Sequence, residues 1–305
     1  MSVEAIETRQ TITGHTRLVG VIGWPVEHSL SPVMHNAAFA ALGLDWAYVP
    51  LPVYPDHIGE AVRGLRAMGF IGANVTVPHK QAVLSHLDDM AHAALVIGAV
   101  NTIVVREGTL YGDNTDAAGF LAALADAGFD PAGKYCAVLG AGGAARAIVH
   151  ALADADSRQI LVFNRSVTRA RRLCRDMAKF HPDVRFEANP LDWARDVGND
   201  TSLLVNATSL GMWPGVDRSP WPSDLPVPDH LTVCDLVYTP LETQFLSQAR
   251  AAGAEVGGGL GMLVHQGAAA FTLWTGHPAP TAIMKKAAQQ TLLRNRVSIS
   301  PLGKR

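Results

Sequence analysis

The sequence predicts an α/β protein of two domains: an N-terminal α/β substrate domain completed by C-terminal helices, and a doubly wound Rossmann domain inserted between its parts. Three observations predict it. The chain has 305 residues, more than one hydrophobic core usually serves. Apolar runs alternate with amphipathic stretches in two separate series, the pattern of mostly parallel sheets covered by helices. A glycine-rich turn, Gly140 to Ala145, stands between an apolar strand and a helix at the head of the second series.

In the first series RLVGVIG from Arg17 reads as a strand, PVMHNAAFAALG as a helix, WAYVPLPV as a strand, DHIGEAVRGLRAMG as a helix and IGANVTV as a strand. Helical stretches are expected over Lys80 to Leu87 and Asp89 to Ile97. NTIVVREGTLYGDN then reads as a hairpin turning at Glu107-Gly108. After the helix DAAGFLAALADAG the second series follows, with strands KYCAVLG, QILVFNR, VRFEA, SLLVNATS, TVCDLVY and AEVGGG and helices starting near Gly143, Val167 and Thr243. The helical tail from Gly261 is surplus to that sheet and is expected to pack back on the first domain. The domains then comprise 1–116 plus 259–305, and 117–258. The last few residues read as frayed.

Composition narrows the function. With 48% hydrophobic and 17% charged residues the chain is too apolar for disorder, yet no stretch approaches the roughly 20 unbroken apolar residues of a membrane helix. A formal charge of -2 lacks the basic excess of a nucleic-acid binder. Cys136, Cys174 and Cys234 are far apart and read as inert buried thiols rather than as a disulfide framework or zinc site. The first residues lack the pattern of a secretory signal, so a reducing cytoplasm is expected. The surface composition fits a monomer or a small homodimer.

In KYCAVLGAGGAARAIVHAL each small residue of G-x-G-x-x-A has a physical task. Gly140 permits the tight turn, Gly142 lets the backbone approach a pyrophosphate, and Ala145 permits close helix-to-strand packing. Between them Ala141, Gly143 and Ala144 present the backbone of a helix N-terminus, with its free N–H groups, to the anion. The next strand ends in Asn164-Arg165, followed by Ser166 and Arg169, where an NAD site usually carries an acidic residue. Guanidinium groups there suit a 2′-phosphate, so NADP is the expected cofactor. Arg171 and Arg172 read as a solvated helix face.

HSLSP, NVTVPHK, DNTDAAG, GAGGAARA, NATSLGM, DLVYTP and GMLVHQG, in this order, resemble the shikimate dehydrogenase family over nearly the whole chain. The resemblance implies NADPH-linked reduction of 3-dehydroshikimate to shikimate, with Lys80 and Asp116 catalytic. Lysine is a proton donor, and a neighbouring carboxylate would orient it. It further implies Ser29 and Ser31 for the substrate carboxylate and Thr76, Asn101, Asp116, Gln266 and Tyr238 at the ring; core packing serves Tyr238 equally well. In an extended stretch the two serines would point the same way, and Ser31 before Pro32 also suits an N-cap. Asn206 and Met212 are implied beside the nicotinamide, and Gly259 at the cofactor.

Asn74 reads as a residue that satisfies backbone groups. His28, His35 and His79 lack metal-ligand spacing, and His79 reads as an ordinary surface histidine. Hinge closure is expected about Asp116 and Gly257 to Gly261. A quinate/shikimate or aminoshikimate dehydrogenase shares these motifs. A non-catalytic ligand sensor would show an eroded Lys-Asp pair.

Overall fold

The computed structural model describes residues 11–191 and 197–298. The start of the N-terminal stretch and the tail read as frayed lie outside the described residues. The first domain contributes β1 (Arg17–Gly23), α1 (Ser31–Ala41), β2 (Trp46–Pro52), α2 (Ile58–Ala67), β3 (Gly72–Val75), β4 (Asp89–Met90), α3 (His92–Ile97), β5 (Thr102–Arg106) and β6 (Thr109–Asp113). The strands lie in the order β2-β1-β3-β5-β6-β4.

This sheet is mostly parallel, as expected, with one antiparallel strand: β1 runs parallel to β2 and β3 and β4 parallel to β6, while β5 runs antiparallel to β3 and β6. The cause is local. Only Glu107 and Gly108 separate β5 from β6, both with positive φ (49° and 79°), and so short a link can join only antiparallel strands. The helix expected over Lys80 to Leu87 is instead a turn and one 3₁₀ helix, Ala82–His86, and the expected helix at Asp89 begins three residues later. Sheet-edge bonds compete with the helix there: Asp88 N–H and carboxylate bond Leu110, and Ala91 N–H donates to Gly112.

The second domain follows α4 (Asp116–Asp126) with β7 (Tyr135–Leu139), α5 (Gly143–Asp154), β8 (Gln159–Phe163), α6 (Val167–Ala178), β9 (Arg185–Asn189), β10 (Thr201–Asn206), β11 (Thr232–Asp235), α7 (Gln244–Ala251) and β12 (Glu255–Gly258). All its strand pairs are parallel, in the order β12-β11-β10-β7-β8-β9. Strand order reverses between β7 and β10, and a doubly wound sheet opens a ligand crevice at that point. Cys136, Ala137, Val138 and Leu139 are fully buried, as helices on both faces require.

The remaining helices are α8 (Gly259–Thr275) and α9 (Thr281–Ser298). Val264, Phe271, Trp274, Met284 and Leu292 from these helices share one core with Val19, Met34, Phe39 and Trp46 of the first domain. The Trp274 indole donates to the Ile103 carbonyl at 3.0 Å over Gly72, where any side chain would collide with the ring. The tail thus packs on the first domain as expected. Among the described residues no helix is long and apolar enough to cross a membrane.

Candidate active site

Lys80 follows β3 through the turn at Val77-Pro78, where its carbonyl accepts from Val100 N–H at 2.8 Å. Asp116 opens α4. These two anchors bring Lys80 Nζ to 2.5 Å from Asp116 Oδ2, with side chains only 15% and 5% exposed. So little water strengthens the attraction and fixes the geometry. The other carboxylate oxygen accepts from Asn101 Nδ2 at 2.8 Å, and Asn101 also donates to Gln266 Oε1 of α8 at 3.3 Å. Lys80, Asn101, Asp116 and Gln266 come from four parts of the chain and form one network.

Ser29 and Ser31 are brought together, though not by an extended strand. Leu30 has αR backbone (φ -86°, ψ -8°) and is itself the N-cap, so Ser31 stands inside the helix and caps nothing. Pro32 presets that first turn. Ser29 Oγ accepts from Ser31 N–H at 3.3 Å, and the Ser31 hydroxyl lies against the Tyr48 phenol. Thr76 is fixed by its N–H to the Ile22 carbonyl at 2.8 Å. Tyr238 is partly buried against the first-domain core and lies near Tyr48, and burial raises its phenol pKa.

Asn74 satisfies a backbone group as its sequence reading has it, donating to the Asn101 carbonyl at 3.1 Å, and it also donates to Thr102 Oγ1 at 3.1 Å and accepts from Tyr48 Oη at 2.7 Å. His79 is not on the surface. It is 1% exposed, with Nε2 2.8 Å from the Val53 carbonyl. The turn through Pro78 directs the Lys80 side chain into the cleft and the preceding histidine into the domain.

On the facing domain Gly140 has φ +114°, and a Cβ there would meet Ala207 O at 2.9 Å. Glycine is required by both conformation and space. Gly142 is the N-cap of α5; among the described residues no side chain caps that helix, and a Cβ added to Gly142 would meet nothing within 4 Å. The uncapped N–H groups of the first turn of α5 thus stand beside open space at Gly142, an arrangement that suits a pyrophosphate. Ala145 is buried against the sheet and Ala141 is half-buried. Asn164 donates to the Ser166 carbonyl at 3.0 Å, shaping a loop on which Arg165 and Ser166 stand exposed, with exposed Arg169 in the first turn of α6.

Asn206 was expected at the nicotinamide, but its side chain is fully buried. It donates to Asp235 Oδ1 (2.9 Å) and the Leu210 carbonyl (3.2 Å) and accepts from Thr208 N–H (3.0 Å) and Oγ1 (2.7 Å). Its amide shapes the NATSLGM turn from behind. Met212 on that turn is 47% exposed. Gly259 packs so closely on Leu236 that any Cβ would collide with the Leu236 carbonyl.

The two halves meet at this place. A Cβ on Gly143 would lie 3.0 Å from Lys80 Cβ, so the glycine turn sits on the lysine stem. At the mouth the His28 ring, beside Ser29, contacts the Trp213 ring, beside Met212, with centroids 4.6 Å apart. Sequence reading missed Tyr48, Thr102 and Thr115; Thr115 is inside DNTDAAG, but Tyr48 lies in no motif. Burial raises the thiol pKa values to about 11 for Cys136 and about 12 for Cys174 and Cys234, consistent with inert buried thiols. Among the described residues no three His, Cys, Asp or Glu side chains are placed to hold a metal.

A buried lysine–aspartate pair on an α/β domain, facing an uncapped helix N-terminus at the switch point of an all-parallel sheet, is the arrangement of a two-domain dinucleotide-dependent oxidoreductase. Family models agree in register: "Shikimate dehydrogenase substrate binding domain" matches residues 21–103, "Shikimate / quinate 5-dehydrogenase" matches 123–210, and "Shikimate 5'-dehydrogenase C-terminal domain" matches 259–289. The chain belongs to the shikimate dehydrogenase family. It is 48% identical to shikimate dehydrogenase (NADP(+)) of Moorella thermoacetica over 92% of this chain and 95% of that one. The enzyme of the same name from Geobacter sp. strain M21 is 48% identical over 91% and 96%. The crystal structure of shikimate 5-dehydrogenase from Thermus thermophilus in complex with NADP(H) and shikimate superposes with a TM-score of 0.81, at 42% identity over 91% of this chain and all of that one.

Proposed function

We infer that the chain catalyses the reversible NADPH-dependent reduction of 3-dehydroshikimate to shikimate, in aromatic amino-acid biosynthesis. The observation that carries this reading is the buried Lys80–Asp116 contact at 2.5 Å, directly beneath Gly143 of the cofactor turn. NADPH, when bound, supplies the hydride. Lys80 donates a proton to the alkoxide oxygen that forms, and its charge stabilises that oxygen as it becomes negative. In the reverse direction Lys80, unprotonated, takes the hydroxyl proton. Asp116 orients Lys80 and, with Thr76, Asn101 and Gln266, reads ring hydroxyls, while Tyr238 closes one side. The Ser29 and Ser31 hydroxyls donate to the substrate carboxylate.

Gly140 to Ala145 hold the pyrophosphate, Asn164, Arg165, Ser166 and Arg169 the adenosine ribose and its 2′-phosphate, and Met212 and the Gly259 backbone border the nicotinamide. In this reading residues 1–116 plus 259–305 form the substrate domain and 117–258 the cofactor domain. Asp116 and Gly257 to Gly261 are the links about which they close. The intact lysine–aspartate pair favours an enzyme over a ligand sensor. Every residue named comes from one chain, so a monomer or a small homodimer keeps the site whole, and three reduced thiols suit the cytoplasm. Purified protein assayed with shikimate and with quinate, each with NADP and with NAD, tests the proposal. Shikimate with NADP should turn over fastest; faster oxidation of quinate with NAD would reject it.

A further inference from the structure

The polar residues behind Lys80 and Asp116 extend further than the substrate site requires, and their proton directions are determined. The Asn101 carbonyl, already accepting from Val75 N–H at 2.8 Å, can receive only another donor, so Asn74 must turn its Nδ2 toward it at 3.1 Å. Asn74 Oδ1 then faces Tyr48, whose hydroxyl must donate to it at 2.7 Å. The Asn74 amide also donates to Thr102 Oγ1 at 3.1 Å, which leaves the Thr102 proton for Asn101 Oδ1 at 3.0 Å. Asn101 is thereby held with its amide nitrogen toward Asp116 Oδ1 at 2.8 Å.

All these donors point one way, and Tyr48, Asn74, Asn101 and Thr102 are at most 5% exposed, too enclosed for water to reset the order. The Tyr48 ring is fixed by stacking on His35, with centroids 4.4 Å apart and planes 3° from parallel. We propose that Tyr48, Asn74 and Thr102 are positioning residues, a one-way hydrogen-bond chain that fixes the Asn101 amide and through it the Asp116 carboxylate facing Lys80. The proposal rests on Asp116 being the carboxylate of the reaction inferred above.

Thr102→Val, Thr102→Ser and Tyr48→Phe test it, because hydrogen bonding and packing predict opposite orders at position 102. Valine keeps the shape and loses the hydroxyl; serine keeps the hydroxyl and loses a methyl. Positioning predicts that T102V lowers kcat by about three- to tenfold with the KM for NADP unchanged, the neutral bonds of Oγ1 to Asn74 and Asn101 being lost while Thr115 N–H still holds Asn101 at 2.8 Å. T102S should remain near the wild-type rate. T102V at the wild-type rate, or T102S as slow as T102V, overturns the proposal. A second measurement needs no substrate: in ¹⁵N–¹H spectra of the ligand-free protein the Asn101 side-chain amide signals should shift in Y48F and T102V and stay in place in T102S. Unshifted signals in Y48F and T102V overturn the chain of positioning residues even if shikimate turns over, whereas wild-type protein inert toward shikimate overturns only the reaction.

Discussion

On the substrate side of the cleft, Asp116, Asn101, Thr115 and Gln266 already satisfy one another through hydrogen bonds, and Asp116 holds Lys80. On the cofactor side Gly142, at the uncapped start of α5, borders open space among the described residues, and Arg165 and Arg169 stand in solvent. One half is preorganised by buried polar contacts; the other offers space and charge that a ligand completes. The difference follows from what each half must recognise. A small hydroxylated ring is read by donors and acceptors at fixed positions, and a pyrophosphate by a concave backbone and positive potential. Substitutions on the first side should therefore disturb rate or fold, and those on the second should disturb affinity alone.

Lys80→Ala should give the largest effect. Losing a general acid–base group costs about 10²- to 10⁴-fold in turnover. Cofactor affinity, measured by calorimetry with NADP, should remain near that of the wild type, because Lys80 touches the cofactor turn only through its aliphatic stem. A parallel loss of NADP affinity would show the two halves to be less separate than their bonding indicates.

The preorganised half also carries a pH-dependent cost. His35 is fully buried, neither ring nitrogen has a hydrogen-bond partner among the described residues, and burial lowers its pKa from 6.5 to about 3. Between those values the unfolded chain takes up a proton that the folded chain refuses. This contribution to stability is complete above pH 6.5 and is lost as pH falls, at roughly 1.4 kcal/mol per pH unit. Urea titrations at pH 7.5 and 5 should show the wild type losing stability on acidification and His35→Phe losing less. Equal slopes for the two proteins would mean that His35 is not a source of acid lability.

Gly142→Ala probes the open half. No atom of the described residues lies within 4 Å of the added methyl, so the melting temperature of the free protein should hold or rise slightly as the unfolded chain loses entropy. The KM for NADP should rise on the order of 10- to 100-fold, the equivalent of one or two charge-assisted hydrogen bonds of about 1.5–3 kcal/mol. Gly259→Ala should behave oppositely and unfold the protein at lower temperature, because its methyl would collide with the Leu236 carbonyl.

The same contrast explains what could be read from sequence. The cofactor turn is contiguous: strand, glycines and helix follow within a few residues, and a positive φ at Gly140 is what its residue type permits. The substrate network joins residues as far apart as Asn101 and Gln266, and no spacing reveals that their amides meet at 3.3 Å. Family resemblance supplied those residues, while Tyr48, outside every motif, remained invisible. The misreadings of His79 and Asn206 have a common origin. Both lie inside motifs, and neighbours across a tight turn can face opposite environments, one the cleft and the other the core.

Arg165→Ala should give the smallest effect and test cofactor choice most directly. Arg165 is exposed, so part of its attraction for a 2′-phosphate is screened by water and salt. A loss of about tenfold in kcat/KM with NADP is expected, near 1.4 kcal/mol. NAD has no 2′-phosphate, so kcat/KM with NAD should stay within about twofold. The penalty with NADP should shrink as salt is raised, since screening already weakens the wild-type contact. Arg169, four residues on and also exposed, can share the charge, so Arg165→Ala/Arg169→Ala should lose more than either change alone. Equal losses with NADP and NAD would mean that Arg165 supports the loop rather than the phosphate, and that cofactor preference is set elsewhere on the open half.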